Sequence, residues 1–250
     1  MSAKIEVVES RLFAGVVADE IAASINEFVD ETGRCSLVLA GGSTPALAYR
    51  ALSCPPRVNE VPWKAVSLFW TDERWVPAED NQSNFRMVHE TLLAHLAPPG
   101  PAIHAMNTSL AWPQDGAGAY ADDILSSGLP LENGLPIFDI VLLGMGSDGR
   151  IASVYPHSEL IAREGVICEA VPATPEHGAR VTVSPRVLFA AKRILFIVSG
   201  EKKAEIVRKV MEGDGDAEEL PARLYEHCNE RVTWFLDAAA ARKLVPGGQL

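Results

Sequence analysis

Four times along this chain an apolar, strand-like run breaks off into a short cluster of Gly, Ser, Thr, Asp or Lys. SLVLA runs into Gly41-Gly42-Ser43-Thr44-Pro45, and VSLFW into Thr71-Asp72-Glu73-Arg74. FDIVLLG runs into Met145-Gly146-Ser147-Asp148-Gly149-Arg150, and RILFIV into Ser199-Gly200-Glu201-Lys202-Lys203. Runs this short and this apolar suit strands covered on both faces. In an open α/β sheet, ligands bind in the crevice outside the carboxyl ends of the strands. The four clusters are therefore expected to converge on one site.

The segments between these runs support that class. Val17, Ile21, Ile25 and Phe28 recur at helical spacing, and Gly33 ends that segment. Helices are also expected over Pro45–Leu52, from Met87, over about Ala117–Leu125, near Ser158–Arg163 and over Lys202–Met211. An Ala-rich helix over Asp237–Leu244 closes the chain, with Asp237 as its N-cap. Strands alternating with helices imply a three-layer α/β fold: a mostly parallel, Rossmann-like sheet with helices on both faces. No linker or repeat divides the chain, so one domain over 1–250 is expected.

Charge and cysteines narrow the function. The formal net charge of -11 argues against nucleic acid or an anionic membrane as partner, though local Arg and Lys can reverse the field inside a cleft. Cys35, Cys54, Cys168 and Cys228 form no C-x-x-C pair and no zinc spacing. The N-terminus is too polar for a signal peptide, and no apolar run approaches membrane-spanning length. A cytoplasmic protein is expected. The six histidines form no H-E-x-x-H set and there is no G-x-S-x-G elbow, so no metal site and no serine hydrolase of that type is expected.

Each cluster carries a chemical possibility. Gly41 and Gly42 let backbone approach a ligand, Ser43 or Thr44 can cap a helix, and Pro45 suits its first turn. A helix N-terminus there is an anion site. The loop lacks the Walker ending and the G-x-G-x-x-G spacing, which disfavours ATP and NAD. Lys202 opens a helix after a buried strand and can serve as a point charge for phosphate, with Lys203 its solvated neighbour. Asp72 can orient a hydroxyl or take a proton, and Arg74 can bind a carboxylate or phosphate in bidentate fashion. Asp148 lies in an Asp-Gly turn, as a ligand or merely as an Asx turn. Arg180 begins its strand, a position suited to the site only if that strand is antiparallel or a loop folds back.

Taken together, LVLAGGSTPALAYRAL, FWTDERWVPAEDNQSNFRM, DIVLLGMGSDGRIASVYP, RVTVS, IVSGEKKAEIV and VTWFLDAAAA resemble the 6-phosphogluconolactonase family. More distantly they resemble the glucosamine-6-phosphate isomerase/deaminase group that shares its fold. The segments occur in family order and span residues 5–242. The resemblance implies hydrolysis of 6-phosphoglucono-δ-lactone, a sugar-phosphate substrate and no cofactor; a monomer or homodimer is expected. It implies phosphate against Gly41, Gly42, Ser43 and Lys202, with Arg180 contributing and Arg74 near the sugar-acid end.

One motif departs from the family. Its usual Gly-Pro-Asp-Gly-His-Thr reads Gly146-Ser147-Asp148-Gly149-Arg150-Ile151 here. The histidine regarded as general base is thus Arg150, a permanently charged guanidinium that cannot deprotonate water near neutral pH. Arg150 can still steady an oxyanion. Three readings stay open: Asp72, Asp148 or His157 supplies the base; electrostatics and positioning suffice for an activated lactone; or the chain only binds sugar phosphate. An isomerase or deaminase is the alternative activity. A DNA-bound sensor is disfavoured, because no helix-turn-helix precedes the first strand.

Overall fold

The computed structural model describes residues 3–245. Residues 1–2 and 246–250 of the expected domain lie outside the described residues. The main sheet is built from β1 (Lys4–Val8), β2 (Cys35–Leu39) and β3 (Val66–Trp70). Strand β4 (Asp72–Arg74) prolongs β3 into a second sheet, and β5 (Ala102–Ile103) edges the first. A hairpin of β6 (Leu131–Glu132) and β7 (Leu135–Pro136) precedes β8 (Ile140–Leu143). Then come β9 (Cys168–Val171), β10 (Arg180–Val183), β11 (Arg193–Val198) and β12 (Val232–Asp237). The seven-stranded sheet has the order β1-β12-β11-β8-β2-β3-β5 and every pairing in it is parallel. The second sheet, β4-β10-β9, is antiparallel.

The helices are α1 (Phe13–Thr32), α2 (Ser43–Leu52), α3 (Arg57–Glu60), α4 (Asn84–Thr91) and α5 (Pro113–Ser126). After these come α6 (Pro185–Phe189), α7 (Ala204–Glu212) and α8 (Ala238–Ala241). From β2 the chain steps to β3 and β5 on one side, then returns to β8 and steps through β11 to β12 on the other. Parallel crossovers are right-handed, so steps in opposite directions put their helices on opposite faces. Helix α1, which also leads toward β2 and β3, accordingly packs against α2. The reversal falls between β2 and β8, where the two strands share only the pairs Leu37–Ile140 and Val38–Val141 before parting. That parting opens the crevice expected at a topological switch point.

Burial explains the apolar runs. All five residues of β2 and all four of β8 are buried, as central parallel strands require. On α1 the expected stripe of Val17, Ile21, Ile25 and Phe28 is buried, and Gly33 closes the helix at φ 76° with its N–H on the Val29 carbonyl. Asp237 caps α8 through Ala240 N at 2.7 Å, as read from sequence, although the helix stops at Ala241. Several other expectations need correction. The region of Ser158–Arg163 holds only a 3-10 turn, Glu159–Ile161. The helix expected from Met87 starts earlier, at Asn84, with Ser83 as its N-cap. Helix α7 starts at Ala204, because Glu201–Lys203 forms a 3-10 turn after Gly200 at φ 96°.

Candidate functional site

A cleft of about 200 Å³ lies over the carboxyl ends of β2, β3, β8 and β11. It is lined by Gly41, Gly42, Ser43 and Thr44, by Asp72, Arg74 and Asn84, by Arg150 and Arg180, and by Ser199 and Lys203. Three of the four sequence clusters thus contribute expected residues to one place. The fourth contributes a different lysine.

The floor is fixed by two buried tyrosines used in the same way. Tyr49 on α2 accepts from Ala40 N at 3.0 Å and donates to Ala40 O at 2.9 Å. Tyr120 on α5 accepts from Trp70 N at 2.8 Å and donates to Trp70 O at 3.2 Å. Each ring clamps the last peptide of a strand, where ladder bonds run out. Desolvation lifts both phenols well above their usual pKa, so they stay neutral. Beyond Ala40, Gly42 takes φ 107° and is the N-cap of α2, with no side-chain cap. The expected Ser43 or Thr44 cap is not made: Thr44 Oγ1 instead meets Ser199 Oγ at 3.2 Å across the cleft. The first turn of α2 therefore presents uncapped N–H groups and the positive end of its dipole to the cleft. Gly41 is required by close approach, since a Cβ there would lie 2.0 Å from Asn84 Oδ1.

The wall from β4 holds the acids. Thr71 N donates to Leu39 O at 2.9 Å, and Thr71 O accepts from Val183 N at 2.8 Å, so this residue ties the two sheets together. Asp72 is buried. Its Oδ2 accepts from Ser153 Oγ at 2.5 Å and lies 3.8 Å from Arg180 Nη1; its Oδ1 accepts from Thr71 Oγ1 at 3.1 Å. Glu73 points the other way. It accepts backbone N–H bonds at 2.7 Å from Arg74, Asn84 and Phe85, holding the loop closed on the start of α4. Burial raises its carboxyl above the usual range against those lowering bonds. Arg74 donates to Gln82 O at 3.0 Å and to Asn84 Oδ1, whose Nδ2 donates to Asp72 O at 2.7 Å.

On the opposite wall, Arg150 Nη1 donates to Asp148 Oδ2 at 2.8 Å. A Cβ on Gly146 would fall 2.2 Å from Asp148 Oδ1, so only glycine leaves room for this pair. Lys203 is half-buried and its Nζ donates to Met145 O at 2.6 Å. Burial, then the Arg150 charge, lower its pKa below the usual lysine value, while Asp148 opposes them. The lining thus sets Arg74, Arg150, Arg180 and Lys203 against the single carboxylate of Asp72. A chain of net charge -11 carries a locally cationic cleft.

Three expected residues lie outside the cleft lining. Lys202 is exposed and Lys203 lines the cleft in its place, because the 3-10 turn after Gly200 rotates the second lysine inward. His157 sits at φ 60° with its side chain 66% exposed, 3.7 Å from Glu218, and outside the cleft lining. Asp148 is at the rim, reaching the cleft through Arg150. Arg180 meets the condition set for it: its strand is antiparallel, so its starting residue faces the site. Sequence reasoning missed Asn84, Ser199, Ser153 and Lys203; the Ser83 N-cap before NFRM was the signal available for Asn84.

A doubly wound α/β protein with a cationic cleft at its switch point, and an uncapped helix N-terminus opening into it, defines a class that binds small phosphorylated molecules. The family model described as glucosamine-6-phosphate isomerases/6-phosphogluconolactonase matches residues 9–234, and the chain belongs to that family. It is 33% identical over 207 residues to a 6-phosphogluconolactonase of Haemophilus influenzae, covering 82% of this chain and 86% of the relative. It is 38% identical over 176 residues to one from Treponema pallidum, covering 70% and 71%. The solved 6-phosphogluconolactonase from Trypanosoma cruzi superposes with TM-score 0.83 at 27% identity, covering 98% of each chain.

Proposed function

We propose that the protein hydrolyses 6-phosphoglucono-δ-lactone to 6-phosphogluconate. The observation that carries this is the charge pattern of the cleft: four cations and a helix N-terminus arranged around one buried carboxylate. The family membership and the 6-phosphogluconolactonases among its relatives support the same substrate. The phosphate binds against the α2 N-terminus and Lys203, with Arg180 closing on it. The lactone ring then extends toward Asp72, Arg74 and Arg150.

Asp72 is the carboxylate of the lining and takes the role of base. As a water oxygen bonds to C1, its proton passes to Asp72, and the carbonyl oxygen gains negative charge facing Arg150. The C1–ring-oxygen bond then breaks, and the departing oxygen takes the proton from Asp72 to become a hydroxyl. The new acid ionises to the carboxylate. A carboxylate is a weaker base than imidazole, but a δ-lactone is an activated ester and asks less of it.

The same reading places the reaction in the oxidative pentose phosphate pathway and the protein in the cytoplasm, as a single domain acting as monomer or homodimer. The core cluster running from Ala3 to Ala240 supports one domain. All four thiols are free, and burial raises those of Cys35, Cys168 and Cys228, which fits a reducing compartment. Among the described residues no helix is long and apolar enough to cross a membrane. The test follows freshly made lactone and subtracts its spontaneous hydrolysis. No excess rate at micromolar protein refutes the proposal, and ammonia release from glucosamine 6-phosphate would replace it with a deaminase.

A further inference from the structure

Arginine at position 150 creates a need that histidine would not. Its side chain is long and has many rotamers, and Asp148 grips only one edge of the guanidinium, Nη1 to Oδ2 at 2.8 Å. The guanidinium face is covered instead by Tyr155, with Cζ 4.9 Å from the ring centroid. Tyr155 is itself backed by His177, whose ring lies 4.2 Å away at an interplanar angle of 16°. His177 is anchored in the β9–β10 connection: its carbonyl accepts from Thr174 N at 2.8 Å, and its Nδ1 lies 3.0 Å from Gly178 O. The Tyr155 hydroxyl is buried and has no hydrogen-bond partner among the described residues. A buried hydroxyl without a partner is unfavourable, so the useful part of this side chain is its ring.

We infer that Tyr155, backed by His177, is the positioning residue for Arg150: the stack holds the guanidinium in the cleft where the lactone oxyanion forms. This rests on the proposed lactonase reading for its kinetic consequence, but not for its geometry. Tyr155→Phe keeps the ring and is expected to keep kcat within about two-fold. Tyr155→Leu is expected to lower kcat about ten-fold with KM little changed, because the group it frees acts on charge that develops only in the transition state. In the Arg150→Ala background, Tyr155→Leu should cost nothing further, since no guanidinium remains to be held. Full additivity of the two losses, an unchanged kcat in Tyr155→Leu, or a loss in Tyr155→Phe equal to that in Tyr155→Leu overturns the inference.

A second measurement needs no turnover. Ring current should shift the Arg150 side-chain proton resonances upfield in wild type and Tyr155→Phe, with assignment by their disappearance in Arg150→Ala. In Tyr155→Leu they should return to ordinary arginine positions. Identical shifts in all three proteins overturn the inference even if the wild type hydrolyses no lactone, whereas an inactive wild type with shifted resonances refutes the lactonase reading alone.

Discussion

The two adjacent lysines at the end of β11 give the sharpest test of the cleft. Lys203 is half-buried beside Arg150, and its neighbour Lys202 is exposed. An ammonium and a phosphate charge about 4 Å apart attract by about 4 kcal/mol at an effective dielectric of about 20. Partial exposure and competing hydration reduce this to about 1.5–3 kcal/mol, the range of a hydrogen bond to a charged group. Lys203→Met is therefore expected to raise KM by about 10- to 150-fold. The substrate phosphate does not change charge during hydrolysis, so this binding is uniform and kcat should stay within a few-fold. Lys202→Met should leave both constants unchanged. Calorimetric titration with 6-phosphogluconate adds a pH arm. Because the free-state pKa of Lys203 lies below the usual 10.5, affinity should begin to fall at a lower pH than an ordinary lysine would dictate, and Lys203→Met should abolish that fall. A large KM effect from Lys202→Met with none from Lys203→Met would refute this account of the anion site.

Other perturbations probe the remaining walls. Gly41→Ala places a methyl group 2.0 Å from Asn84 Oδ1, so it should cost about 1–3 kcal/mol in urea unfolding and lower activity by displacing Arg74. Arg150→His should add to kcat an acid limb near the imidazole pKa of about 6.5; pH profiles of identical shape in the two proteins would show that an imidazole at this position does not act as base. Glu73 has a raised folded-state pKa, so the folded protein holds its proton to higher pH than the unfolded chain does. Its contribution to stability is then full below the unfolded carboxylate pKa and declines as pH climbs through the raised folded value; Glu73→Gln should lack that slope in denaturation followed upward from the ordinary carboxylate range.

The sequence was most legible where one strand end determines one loop. Gly41–Thr44 follow β2 with no freedom left, because Tyr49 clamps Ala40 and α2 begins at Ser43. Residues whose placement depends on an intervening twist were less legible. Choosing between Lys202 and Lys203 required the 3-10 turn after Gly200, and composition is blind to a rotation of one residue. Arg180 required the pairing of β4 with β10, a contact between positions about a hundred residues apart. His157 follows its motif closely in sequence, yet a left-handed residue turns it to solvent. Asn84 was hidden in a polar stretch because its site role comes from three partners: Gly41, Asp72 and Arg74.

On the proposed lactonase reading, arginine at position 150, where the family it resembles carries histidine, changes which half of the reaction the protein assists most. An imidazole helps by removing a proton from water, and it can do so only while neutral. A guanidinium removes none, but it offers fixed charge and paired donors to the oxyanion at every working pH. For an unactivated amide the first kind of help is indispensable. For a strained cyclic ester the attack is already easy, so stabilising the oxyanion can matter as much as activating the water. The exchange also has a structural requirement, since the longer side chain must be aimed. Here Asp148 holds its edge and Tyr155 its face, while Asp72, the proposed base, stays buried on the far wall.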